Sequence, residues 1–131
     1  MSNLTKISHP RIRKMSPQFL VCDLNRSIEF YTEKSGFAQE FRYEDFYGGI
    51  LKDGCSIHLK SGCPSFDKRK TGRVTEDLDL VFLVDKIEDL YQEILNKSEE
   101  IIQPMRNMPY SREFYITDPD RHIIGFVEAG G

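Results

Sequence analysis

Apolar and polar positions along this chain follow two periods, and the change from one to the other happens twice in the same order. Phe19–Val21 is a short apolar run of β-forming residues that leads into Asp23. Leu24, Ile28 and Tyr31 then fall at i, i+4 and i+7, the spacing of one helix face. Asp23 or Asn25 can cap that helix, and Gly36 ends it. Segments of period two follow at Gln39–Tyr43, Tyr47–Lys52 and Ser56–Lys60. Asp53-Gly54, between the last two, suits a two-residue hairpin turn whose central positions both need positive φ. The grammar returns 63 residues on, from Val21 to Val84. Leu78–Val84 predicts a strand, Asp85-Lys86-Ile87-Glu88 reads as a capping box, and Ile87, Leu90, Tyr91, Ile94 and Leu95 form a helical stripe. Strands near Glu100–Gln103, Glu113–Ile116 and His122–Val127 complete the unit, the last two joined by a turn at Asp118-Pro119-Asp120.

A unit repeated once predicts architecture before any single residue is considered. The reading is an α+β chain of two βαβββ modules in pseudo-twofold arrangement. Each meander carries a helix on one face, and the free faces enclose a groove, the default place for a ligand. Residues 1–14 read as an N-terminal arm and residues 15–129 as one domain. Within it, module one covers about 15–61, an aperiodic linker about 62–77, and module two about 78–129.

Composition narrows the function. With 131 residues, 39% hydrophobic and a net charge of −3, the chain has an ordinary core and no field of one sign. Nucleic-acid binding is therefore not expected. The basic clusters Arg11-Ile12-Arg13-Lys14 and Lys68-Arg69-Lys70 read as solvated segments. No membrane span or secretory leader is legible. Cys22, Cys55 and Cys63 are odd in number and lack CxxC spacing, so reduced thiols in a cytoplasm are expected, with Cys22 and Cys55 buried and inert.

Val21-x-Asp23-Leu24 with Arg26-Ser27, Phe30-Tyr31, Gly36-Phe37 and the late Asp118-Pro119-Asp120 together resemble the glyoxalase / bleomycin resistance protein / dioxygenase superfamily, the vicinal oxygen chelate fold. Ser16-Pro17, Ile57-His58-Leu59 and Tyr110-Ser111-Arg112-Glu113-Phe114 point within it to the metal-free bleomycin-resistance branch. Arg121 departs from the pattern, which has Gly there, and puts the positive φ of that hairpin in question.

The resemblance implies where chemistry would sit. Metal-dependent members hold a divalent ion with one residue from each of four strands. Those positions fall here on Ser16, His58, Asp79 and Gly125. Ser is a weak ligand and Gly offers none, so two donors remain, fewer than a catalytic zinc or iron site keeps. No metal and no cofactor are expected. Taking these positions as groove-facing, strand alternation adds Gln18, Leu20, Ser56, Val81, Leu83, Ile123, Val127, Glu113 and Tyr115 to the groove, with Tyr43 and Tyr47 as further aromatics. Phe19, Val21, Ile57, Leu59, Leu80, Phe82, Val84, Ile124 and Phe126 turn to the helices. The expected ligand-binding set is Gln18, Leu20, Tyr43, Tyr47, His58, Asp79, Glu113 and Tyr115. The expected ligand is a planar organic molecule, positively charged, held by stacking and by the Glu113 carboxylate. The function this implies is metal-independent binding of a drug or metabolite, with a metal-dependent glyoxalase-like lyase or dioxygenase as the alternative. A homodimer is expected, with the arm residues Ile7, Ile12 and Met15 reaching across.

Overall fold

The computed structural model describes residues 9–62, 78–97 and 99–130. Ile7, Cys63, Lys68-Arg69-Lys70 and nearly all of the expected linker lie outside them. Strands β1 (Gln18–Val21), β2 (Ala38–Tyr43), β3 (Tyr47–Lys52) and β4 (Cys55–Ser61) form one sheet in the order β1-β4-β3-β2. β5 (Leu80–Leu83), β6 (Ile101–Met108), β7 (Ser111–Thr117) and β8 (Ile123–Ala129) form the other in the order β5-β8-β7-β6. Helix α1 (Leu24–Glu29), continued by a π-helical turn at Phe30–Lys34, follows β1, and α2 (Ile87–Asn96) follows β5. This is βαβββ twice. The register repeats as well: Gln18 lies beside His58 in a parallel pair, and Val81 beside Gly125 in its counterpart.

Alternation sorts the strands as period two requires. Phe19, Val21, Ile57, Leu59, Ile124 and Phe126 are buried in one core shared by both modules, while Leu20, Val81 and Leu83 are exposed. Asp53 and Gly54 both take positive φ, +50° and +81°, in the β3–β4 turn. Arg121 takes φ +71° in the corresponding β7–β8 turn, so the departure from Gly leaves the left-handed backbone in place. Asp23 caps α1, its carboxylate accepting from the Arg26 N–H at 3.2 Å.

Other expectations are corrected. The capping box at Asp85–Glu88 does not form. Lys86, at φ +53°, is the N-cap residue without a side-chain bond, the Ile87 N–H is taken by Glu128 Oε1 at 3.1 Å, and Glu88 pairs with Arg112. Leu95 lies off the buried stripe and is exposed. β6 runs to Met108 rather than stopping near Gln103, because register shifts on either side of Gln103 absorb Pro104. Cys22 and Cys55 are exposed rather than buried. Cys55 is a free thiol, and Cys22 is disulfide-bonded, its partner outside the described residues.

The modules are joined by buried polar groups that local sequence presents only as a turn. Asp118 and Asp120 do sit at the β7–β8 turn, yet both are buried. Asp118 Oδ2 accepts from the Tyr31 hydroxyl at 2.7 Å and lies 2.8 Å from His122 Nδ1, while its Oδ1 accepts the backbone N–H of Asp120 and of His122. Asp120 accepts from the Cys22 N–H and the Ser27 hydroxyl, and the His122 ring stacks on Phe19 at 4.1 Å. Burial first, and then the neighbouring Asp118 carboxylate, push the Tyr31 phenol well above its ordinary pKa.

Candidate functional site

The first sheet turns its helix-free face into an aromatic wall. A bulge in β2 between Gln39 and Phe41 inserts one residue, so that Glu40 and Phe41 both serve this face. Glu40 Oε1 accepts from Ser56 Oγ at 2.7 Å, and the Phe41 ring stands perpendicular to His58 at 5.1 Å. Phe41 can lie there because Gly49 has no side chain: a Cβ would overlap the ring. Tyr47, on the neighbouring strand, places its hydroxyl 2.8 Å from His58 Nδ1 and packs its ring 5.4 Å from Phe41. Tyr43 stacks on Tyr47 at 6.4 Å and 14°, with 61% of its surface open.

Two physical properties follow. The Tyr47 hydroxyl fixes the orientation of the imidazole through Nδ1, which leaves Nε2 as the atom available to a ligand. The Glu40 carboxyl is held below its usual range chiefly by the Ser56 hydroxyl, with Lys14 at 3.5 Å adding to it, so the group beside the rings stays ionised and, among the described residues, is paired only with a half-exposed lysine. Gln18 sits beside His58 in register and Leu20 is exposed two residues on, so both share this face as alternation predicts.

The second sheet is the more closed half. Glu113 and Tyr115 do share a face, but Glu113 is not a carboxylate waiting for a cation. Its Oε2 accepts from Arg106 Nε and Nη2, at 2.9 and 2.7 Å, and from the Tyr115 hydroxyl at 3.0 Å. Tyr115 is buried, with the Arg106 guanidinium 5.5 Å from its ring centre. Arg106 lies beyond the expected end of β6 near Gln103, so strand alternation does not reach it. Asp79 Oδ2 accepts the Ile123 N–H at 2.8 Å and so ties β5 to β8. Phe41 and Glu40 are likewise absent from the expected set. Parity offered Phe41, two residues before Tyr43 on one strand, whereas nothing local announces the bulge that adds Glu40.

The four strand positions do not suit a metal centre. Gly125 offers no donor, and a Cβ there would meet Leu78 Cδ1 at 2.8 Å and the Tyr115 ring at 3.3 Å. Asp79 is engaged by the β8 backbone, and Ser16 is a poor ligand. Among the described residues no group of three or more His, Cys, Asp or Glu side chains is placed to hold a metal ion.

The profile of the Glyoxalase/Bleomycin resistance protein/Dioxygenase superfamily matches residues 7–126. The chain belongs to this superfamily. Its fold is shared with TioX from Micromonospora sp. ML1, at TM-score 0.72 and 14% identity over 88% of this chain and 98% of that one. A glyoxalase/bleomycin resistance protein/dioxygenase from Alicyclobacillus acidocaldarius gives 0.73 and 15% over 92% and 96%. A lactoylglutathione lyase from Agrobacterium tumefaciens gives 0.68 and 14% over 92% and 96%. At these identities the superfamily likeness is one of fold. No curated protein matches the sequence. None of the described helices is long and apolar enough to cross a membrane.

Proposed function

We propose that this superfamily member is a metal-independent binding protein of the bleomycin-resistance type. It takes a planar, positively charged organic molecule against the wall formed by Phe41, Tyr43, Tyr47 and His58. The observation that carries the reading is the exposed Tyr43–Tyr47 stack adjoining an imidazole oriented through Nδ1. A flat ligand extends that stack, His58 Nε2 gives it a polar anchor, and the ring faces with Glu40 favour positive charge. The four family ligand positions supply too few donors for a lyase or dioxygenase using a bound metal.

Calorimetric titration of cationic aromatics and bleomycin-like glycopeptides tests this. Tyr43→Ala is expected to cost about 0.5–1.5 kcal/mol beyond the lost contact area. Tyr47→Phe, which keeps the ring and releases His58, is expected to cost about 1 kcal/mol. Unchanged affinity in both variants overturns the site. One equivalent of Zn²⁺, Ni²⁺ or Fe²⁺ per chain with chelator-sensitive turnover overturns the metal-independent reading.

A further inference from the structure

The internal repeat gives the modules two equivalent sides on which to face each other, and the two sides are built differently. On one side α1 and β1 meet the β7–β8 turn. On the other, α2 and β5 meet the β3–β4 turn. The shared register aligns Phe19 with Phe82, Ser27 with Leu90 and Tyr31 with Ile94. In the turns it aligns Asp120 with Asp53 and His122 with Cys55. On the first side Tyr31 and His122 fill the space with two rings, bonded to Asp118. On the second, an isobutyl-sized side chain and a thiol stand where those rings would be. A cavity of about 610 Å³ opens there. That lies within the range of small-molecule sites, and none of Phe41, Tyr43, Tyr47 or His58 lines it.

The floor of this cavity is aromatic and its rim is acidic. Phe82 packs against Phe126 at 5.7 Å and against Phe37 at 6.0 Å, and all three rings line it. Leu90 and Ile94 present one stripe of α2, with Asp89 and Glu93 beside it at the same four-residue spacing. Asp53 and Asp85 complete four carboxylates against Lys52 and Lys86. Lys52 is engaged at the cavity wall, donating to the Ser35 carbonyl at 3.2 Å.

We infer that this cavity is a second small-molecule site, separate from the aromatic wall, and that it takes an aromatic amine. The ring occupies the volume that Tyr31 and His122 fill on the opposite side, and the ammonium meets the carboxylate rim. Cys55, a free thiol at the cavity, reports occupancy directly.

The test is the rate of Cys55 alkylation by N-ethylmaleimide, followed by mass spectrometry in the presence of tryptamine or indole-3-acetate. Tryptamine is expected to slow labelling at least fivefold, and indole-3-acetate to leave it unchanged. The double variant Asp89→Asn/Glu93→Gln, on the exposed side of α2, should require about five to ten times more tryptamine, as for two partly screened charge contacts. Leu90→Trp, which places an indole of the protein's own in the cavity, should abolish the tryptamine effect. Phe41→Ala should leave protection intact. No protection of the parent by tryptamine, equal protection by indole-3-acetate, or loss of protection in Phe41→Ala overturns the inference. A failure of the aromatic-wall reading alone leaves the Cys55 response in place.

Discussion

Burying a carboxyl group with one oxygen unsatisfied favours its neutral form, and Glu99 is placed in that way. Its Oε1 accepts from the Ser35 hydroxyl at 3.2 Å, while Oε2 is buried without a partner among the described residues. Desolvation pushes the group up to about 7, against the opposing pull of Ser35 and of Lys34, Lys97 and Lys52. Between its ordinary value near 4.5 and about 7, the folded chain holds a proton that the unfolded chain has lost. Stability therefore falls as pH rises through that window, and above it the full cost of a buried charge is felt. Glu99→Gln removes the titration and keeps an acceptor for Ser35. The variant is expected to match the parent near pH 4 and to exceed it by on the order of 2 kcal/mol at pH 8. Urea unfolding across this range checks it, and parallel profiles for the two proteins would refute it.

Strand alternation placed single side chains well, but the partnerships between strands depend on irregularities that alternation does not encode. Gln18 and Leu20 face one way and Phe19 and Val21 the other, as period two requires. The β2 bulge, by contrast, is what brings Glu40 to the aromatic wall, and the shifts in β6 are what bring Arg106 opposite Glu113. A bulge costs one residue of register and leaves no composition signal, so the neutralised Glu113 was not legible. The Asp118–Asp120 turn was legible as a turn only. Its decisive partners, Tyr31 and Ser27, stand 87 and 93 residues away. The β2–β3 pair makes its own prediction. Gly49→Ala puts a methyl group where the Phe41 ring lies, so the ring must leave the wall. The expected cost is about 1–3 kcal/mol of stability together with weaker binding of planar cations. A crystal structure with Phe41 unmoved, and unchanged affinity, would refute the role given to this glycine.

Across the whole molecule, the modules are held together by the polar clasp on one side and face each other across a cavity on the other. Tyr31→Phe keeps the ring contacts with Phe30 and Phe37 and removes only the hydroxyl that Asp118 Oδ2 accepts. Because that carboxylate is buried, the expected loss is about 1–3 kcal/mol in urea unfolding. A loss below about 0.5 kcal/mol, the scale of an ordinary surface substitution, would mean that the clasp does not hold the modules. The outer surface leads to the last expectation. β1, β2, β5 and β6 end their sheets among the described pairings, and Leu20, Val81 and Leu83 are exposed on β1 and β5, Leu83 at 78%. Open edges bearing apolar side chains invite pairing with another chain, and the economical closed form is a twofold dimer. Ile12 and Met15, 91% and 88% exposed, give the arm two apolar anchors for a neighbour. Sedimentation velocity at micromolar concentration is expected to show a dimer, and Leu83→Lys to shift it toward monomer. A monomer in the parent would refute the dimer, whereas a dimer that survives deletion of residues 1–12 would remove only the arm from its interface.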